Sequence, residues 1–174
     1  ENWKRPKKEI SFLFRLIQNY FSNEIKNIQD QGIKINILGE LKKLPFEIKS
    51  TLKKTEKITK KNKKIIVNLA INYGSKIEIL SAIKKTGKLS IKNLEKNLYT
   101  KNMPDPDILI RTGGHQRLSN FMLWQHAYTE LYFTDCLWPD FNEHELDNAI
   151  RFFHSRNRKF GGLRAVHQIE NNDK

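Results

Sequence analysis

The sequence predicts an α/β fold, a single domain with a mostly parallel central sheet flanked by helices. Three observations carry that prediction. Apolar residues recur at helical spacing in stretches that alternate with short β-branched runs. Glycine or proline stands at most of the boundaries between them. The 174 residues, 38% of them hydrophobic, suffice for about one domain with a real core.

Taken in order, Pro6 fits a first helical position, and Ile10, Leu13, Phe14, Ile17, Tyr20, Phe21, Ile25 and Ile28 continue a helix to Gln31, closed by Gly32. Large residues fill nearly every apolar position of that helix, which suits ordinary core or the wall of a hydrophobic tunnel. Ile33, Ile35 and Ile37 alternate toward Gly39 as a first strand. Phe46, Ile48, Leu52 and Ile58 mark a second helix from near Pro45. Ile65 to Ile71, interrupted by Asn68, has the near-continuous apolar character of a parallel strand. Asn72, Tyr73 and Gly74 lead into a helix carrying Ile77, Ile79, Leu80 and Ile83, which Gly87 ends. Ser90 can cap a short helix from Ile91 to Leu98. A loop through Pro104 and Pro106 reaches a strand at Asp107 to Ile110. Phe121, Met122, Leu123 and Trp124 then open an apolar helix, and Glu130 precedes a strand at Leu131, Tyr132 and Phe133. Asn142 caps a last helix reaching Arg158, terminated by Gly161 and Gly162. Strands alternating with helices call for right-handed crossovers.

Composition narrows the function classes. The single cysteine, Cys136, cannot form an internal disulfide, and no apolar run approaches the roughly 18 residues of a membrane span. A soluble protein of a reducing compartment, the cytoplasm, is expected, with at most peripheral membrane contact. The chain starts at Glu1 rather than Met and has no secretory leader, so an upstream segment is expected to be missing. The net charge of +13 suits polyanions or phosphorylated substrates. Much of it sits in Lys53, Lys54, Lys57, Lys60, Lys61, Lys63 and Lys64, with few aromatics on which bases could stack. A solvated helix face is the expectation there, and nucleic acid is not the expected partner.

The chemistry concentrates between Asp107 and Phe141. Ile108, Leu109 and Ile110 read as a buried parallel strand that empties into Arg111, Thr112, Gly113 and Gly114, followed by Arg117, Ser119 and Asn120. Ligands of open α/β sheets collect beyond the carboxyl ends of such strands. Two guanidiniums, a hydroxyl and two glycines that let backbone N–H groups approach closely are what a diphosphate needs for several charge-assisted hydrogen bonds. Glu130, a lone acid downstream, could hold a metal.

These residues together resemble the cis-prenyltransferases of the bacterial undecaprenyl diphosphate synthase type. The resemblance runs essentially end to end. It rests on Glu1, Asn2, Trp3, Arg5 and Pro6; on Asn68, Asn72, Tyr73 and Gly74; on Arg111 to Gly114 with Arg117, Ser119 and Asn120; on Glu130, Tyr132, Phe133 and Thr134; and on Trp138, Pro139, Phe160, Gly161 and Gly162. It implies a homodimeric, magnesium-dependent transferase. Such an enzyme condenses isopentenyl diphosphate repeatedly, with cis geometry, onto an allylic diphosphate such as farnesyl diphosphate. The product implied is undecaprenyl diphosphate, a lipid-carrier precursor for cell-wall synthesis.

Carried over residue by residue, the resemblance assigns Arg111, Arg117, Leu118 and Ser119 to the diphosphate of isopentenyl diphosphate. It gives Glu1, Trp3 and Arg5 to the substrate pocket and Glu130 to the magnesium site. Asn2 matches a position described as a proton acceptor; a neutral amide is a poor base, so an orienting hydrogen bond is the expected role. Leu13, Leu16, Ile17, Ile33, Ile65 and Val67 match positions that line the tunnel for the growing chain, although each suits plain core as well.

The chain departs from the family where its first motif, with the aspartate for magnesium and the allylic diphosphate, would stand. As written it begins inside the second motif, and it is expected to be catalytically crippled, because interacting catalytic groups fail as a unit. The edge of the sheet that the missing strand would cover is expected to be open. His115 stands where an acid is usual. Lys159 replaces an arginine and loses its planar fork. A noncatalytic partner subunit would explain a missing aspartate but has little reason to retain Arg111, Arg117, Ser119 and Glu130 together. A basic nucleic-acid-binding domain is the remaining alternative.

Overall fold

The computed structural model describes Trp3 and residues 6–158. The described residues divide into two compact units, each taken here by itself. One comprises the residues up to Pro104 with Ser119–Trp124; the other comprises Asp105–Leu118 and the residues from Gln125 on. Lys159, Phe160, Gly161 and Gly162 lie outside the described residues.

The first unit begins with α1 (Lys7–Asp30), entered from Pro6, whose carbonyl accepts the Glu9 and Ile10 N–H groups. Gly32 ends it at positive φ. The apolar stripe of α1 buries Phe21 and Ile28 against β1 (Ile33–Leu38) and α2 (Phe46–Thr59), where Ile35, Leu44, Ile48 and Leu52 complete the core. Ile48, Leu52, Thr55 and Thr59 repeat at helical spacing, so one face of α2 is inside.

β1 pairs in parallel with β2 (Ile65–Ala70), in register from Ile33 opposite Ile65 to Leu38 opposite Ala70. On its other edge β1 is served by side chains. The buried Thr59 hydroxyl accepts the Ile35 N–H at 3.1 Å while donating to the Thr55 carbonyl, Glu56 accepts the Ile37 N–H at 2.8 Å, and the Asn62 amide donates to the Ile33 carbonyl at 2.8 Å. Backbone groups that would otherwise be orphaned are thereby paired, and that edge is closed to another strand.

Beyond β2 come α3 (Ser75–Lys85) and α4 (Ile91–Glu95), joined by a small cluster of Ala82, Leu94 and Leu98 with Ile79 and Trp124. The Ser90 hydroxyl caps α4 through the Asn93 N–H at 3.2 Å, as expected, but the helix stops at Glu95 rather than Leu98. Two other expectations are corrected. The Ile65–Ile71 run looks like a strand shielded on both faces, yet Ile65 and Ile66 are 52% and 54% exposed, since among the described residues β2 pairs only with β1. Of the apolar residues read on α3, Ile79 packs inward beside the buried Ser75, Glu78 and Ala82, while Ile77, Leu80 and Ile83 stay exposed.

Phe121 to Trp124 do not open a helix. Ser119, Asn120 and Met122 adopt φ values of 47°, 60° and 45°, the left-handed region that ends a right-handed helix rather than continuing one.

In the second unit β3 (Ile108–Arg111) and β4 (Glu130–Phe133) form a parallel pair, Ile108 opposite Glu130 and Arg111 opposite Phe133. α5 (Glu143–His154) packs on β4, where Phe152 meets Tyr132 with ring centres 5.1 Å apart. Asn142 caps α5 by accepting the Glu145 N–H at 3.2 Å. The helix ends at His154, short of the expected Arg158, because Arg158 is drawn to the Asp107 carboxylate and the Tyr128 carbonyl.

Candidate active site

Two features stand at carboxyl ends of parallel strands, the position at which ligand sites of α/β folds collect. The first belongs to the β1–β2 unit. Past the ends of these strands the chain is knitted crosswise: the Glu40 N–H donates to the Asn72 carbonyl at 3.2 Å and the Asn72 side-chain amide returns a bond to the Glu40 carbonyl at 2.6 Å. The Asn72 side-chain oxygen accepts the Trp3 indole N–H at 2.7 Å, and the Trp3 ring meets Phe14 edge-on. Trp3 is thus held over the strand ends by the same asparagine that ties them together.

Beneath it lies a mostly apolar cavity of about 370 Å³, walled by Ile10, Leu13, Phe14, Leu16 and Ile17 of α1, by Leu44, and by Ala70, Ile71, Asn72 and Tyr73 at the end of β2. Trp3, Leu13 and Leu16 stay 45%, 41% and 48% exposed, so the cavity opens to solvent. Of the residues expected to line a tunnel, Leu13, Leu16 and Ile17 do face this space. Ile33 and Val67 pack instead against the core, and Ile65 is exposed on β2.

Tyr73 is fixed from behind. Its hydroxyl donates to Glu78 at 2.5 Å, and the other carboxylate oxygen of Glu78 accepts the Tyr99 N–H at 2.7 Å. Glu78 is 1% exposed. Burial, and then the neighbouring Glu78, push the Tyr73 phenol far above its ordinary value; burial, Glu40 and Glu78 raise Tyr99. Nothing in the sequence marked Glu78, because the apolar residues around it suggested the opposite face of α3 for the interior.

The second feature belongs to the β3–β4 unit. Arg111 closes β3, and its side chain donates to the Arg117 carbonyl, folding the intervening loop back on the strand end. The loop is also stitched to the chain beyond β4: Thr134 donates to the Arg111 carbonyl at 3.0 Å, Gly113 to the Cys136 carbonyl at 2.9 Å and Gly114 to the Thr134 carbonyl at 3.0 Å. The N–H groups of Gly113 and Gly114 are thereby both bonded within the protein. The glycines serve by conformation, with φ values of 86° and 73°, and by space, since a Cβ on Gly114 would stand 2.8 Å from an Asp135 carboxylate oxygen. The Arg117 side chain is exposed, Leu118 is half-buried, and Ser119, exposed, belongs to the first unit.

Glu130 opens β4, opposite Ile108, three register positions before the pair Arg111 and Phe133. Three positions along a strand span about 10 Å. A magnesium ion takes hard oxygen ligands, commonly one or two carboxylates with substrate phosphates. Glu130 offers one such carboxylate, and among the described residues no three His, Cys, Asp or Glu side chains gather to hold a metal. Glu1, Asn2 and Arg5 lie outside the described residues.

Comparison with known proteins decides between the readings. The family model described as undecaprenyl diphosphate synthase matches residues 1–161. The chain belongs to the cis-prenyltransferases. An isoprenyl transferase of Fusobacterium nucleatum is 46% identical over 95% of this chain and 74% of its own length. One of Clostridium tetani is 44% identical over 94% and 68%. Among solved structures, a probable undecaprenyl diphosphate synthase of Campylobacter jejuni superposes with a TM-score of 0.83 at 36% identity, covering 92% of this chain and 78% of that one. Lavandulyl diphosphate synthase of Lavandula x intermedia, solved with dimethylallyl diphosphate, does so with a TM-score of 0.87 at 33% identity, covering 92% and 74%. As a cis-prenyltransferase the enzyme makes polyprenyl diphosphate, and the α/β fold with parallel strands flanked by helices is the family's. No helix among the described residues is long and apolar enough to cross a membrane.

Proposed function

We propose that this cis-prenyltransferase extends farnesyl diphosphate, or a similar allylic diphosphate, with isopentenyl diphosphate to a long cis-polyprenyl diphosphate, an undecaprenyl lipid-carrier precursor for cell-wall synthesis. The observation that carries the reading is the apolar cavity at the carboxyl ends of β1 and β2, which suits a hydrocarbon chain on a polar head group. In this reading Arg111, Arg117 and Ser119 hold the diphosphate of isopentenyl diphosphate, with Leu118 between them, and the Arg111-to-Arg117 bond prepares the loop for it.

The isopentenyl double bond attacks the allylic carbon as its C–O bond to diphosphate breaks, and a proton then leaves the isopentenyl C2. Asn2 orients this step by a hydrogen bond, while departing pyrophosphate or a water takes the proton. Glu1, Trp3 and Arg5 shape the pocket beside the reacting carbons. Leu13, Leu16 and Ile17 receive the growing chain. Glu130 is the carboxylate among the described residues that would hold magnesium, the cofactor of this reading, which would neutralise the charge developing on diphosphate. The reading includes a cytoplasmic homodimer that meets the membrane only to release product.

Steady-state kinetics of Arg117→Ala, in the enzyme translated from its complete reading frame, tests this. Loss of a charge-assisted contact should raise the KM for isopentenyl diphosphate at least about tenfold. An unchanged KM would sink the assignment. Removing divalent cations with a chelator should stop turnover, and Glu130→Ala should depress turnover and the response to magnesium.

A further inference from the structure

The Ser119–Trp124 segment lies in the same compact unit as α3 and is fastened to the amino end of that helix. α3 has no capping side chain of its own, because Gly74 precedes it. Asn120 takes that office from a distant part of the chain. Its carbonyl accepts the Ser75 N–H at 2.8 Å and its side-chain oxygen accepts the Lys76 N–H at 2.9 Å. The fully buried Ser75 reciprocates, its hydroxyl accepting the Leu123 N–H at 2.9 Å. The fit is close: a Cβ on Gly74 would stand 3.0 Å from the Asn120 amide nitrogen.

At and beside these anchors Ser119, Asn120 and Met122 all hold positive φ. Non-glycine residues persist there only where their surroundings over-determine the backbone, and the three bonds to α3 supply that constraint. Ser119 is the residue next to the anchor, and the orientation of its hydroxyl follows from its backbone.

We propose that Asn120 is the positioning residue of the diphosphate clamp: by capping α3 it fixes the backbone at Ser119 and so the direction in which the Ser119 hydroxyl is presented to isopentenyl diphosphate. The inference rests on the reading of Ser119 as part of that clamp. Asn120 itself need not touch substrate, and its effect is confined to the substrate that Ser119 binds.

Steady-state kinetics of the enzyme translated from its complete reading frame tests this with Ser119→Ala, Asn120→Ala, Asn120→Asp, Asn120→Gly and the Ser119→Ala/Asn120→Ala double variant. Ser119→Ala and Asn120→Ala should each raise the KM for isopentenyl diphosphate about tenfold, with kcat and the KM for farnesyl diphosphate changed less than about twofold. The double variant should be no worse than either single one, because residues acting through one hydroxyl are not additive. Asn120→Asp keeps the acceptor and should retain a KM close to that of the parent. Asn120→Gly removes the cap and the backbone strain together; it serves where Asn120→Ala fails to fold, and should show the same raised KM.

Additive effects in the double variant, an equal rise in the KM for farnesyl diphosphate, or a KM for isopentenyl diphosphate unmoved in both Asn120→Ala and Asn120→Gly would overturn the positioning role while leaving the clamp intact. A KM unmoved by Ser119→Ala would remove the clamp reading, and this inference with it.

Discussion

Replacing Glu78 by alanine tests how the cavity wall is held. Glu78 is buried and accepts two hydrogen bonds, from the Tyr73 hydroxyl at 2.5 Å and the Tyr99 N–H at 2.7 Å. Hydrogen bonds to a charged acceptor contribute about 1.5–3 kcal/mol each, so losing both costs roughly 4 kcal/mol. Relief from burying a carboxylate offsets part of this, leaving about 3 kcal/mol of lost stability. Urea unfolding should show that loss as a lower midpoint at constant slope. Tyr73→Phe removes one bond and should cost about half as much. Because Tyr73 lines the cavity, Glu78→Ala should also raise the KM for the allylic substrate. A loss below about 1 kcal/mol would refute the reasoning, since it would mean that neither bond contributes as a charge-assisted one.

The same pair makes stability alkali-sensitive. Tyr73 holds its proton more tightly folded than unfolded, so its contribution is complete below pH 10 and is lost as pH rises toward the folded value; Tyr73→Phe should flatten that decline in unfolding titrations. His126 acts with the opposite sign. Burial, only partly opposed by Asp105, lowers its folded value below 6.5, so its contribution is complete above pH 6.5 and falls as acid protonates the unfolded chain; His126→Gln should flatten the acid side of the stability profile. Filling the cavity from α1 with Leu16→Trp should shorten the product, read by chromatography of the extracted lipids, with little change in the KM for isopentenyl diphosphate. Products of unchanged length would place the growing chain elsewhere.

Where periodicity and local chemistry agreed, the sequence was legible. α1 follows its apolar stripe almost from end to end, the caps at Ser90 and Asn142 form as their hydroxyl and amide suggest, and both strand pairs are parallel. What failed to show were effects of tertiary contact. The left-handed backbone at Ser119, Asn120 and Met122 overrides the apolar run that suggested a helix, because the segment bonds to α3 rather than to itself. The N–H partners of Gly113 and Gly114, the carbonyls of Cys136 and Thr134, come from 23 and 20 residues downstream, beyond what local spacing shows. The inward position of Glu78 on α3 was not legible because a buried carboxylate has no hydrophobic signature. Arg111 and Arg117 were legible as charge and spacing, whereas the pairing of Ile108 with Glu130 and of Arg111 with Phe133 needed the strand register.

Incorporation of labelled isopentenyl diphosphate into lipid-extractable product is the most direct measurement. It uses farnesyl diphosphate as primer, with and without magnesium, in the enzyme translated from its complete reading frame. The account predicts long, magnesium-dependent polyprenyl product that falls sharply in Arg111→Ala and Arg117→Ala at limiting isopentenyl diphosphate. Product formation indifferent to both arginines, or no extractable product from an enzyme shown to be folded, would contradict it.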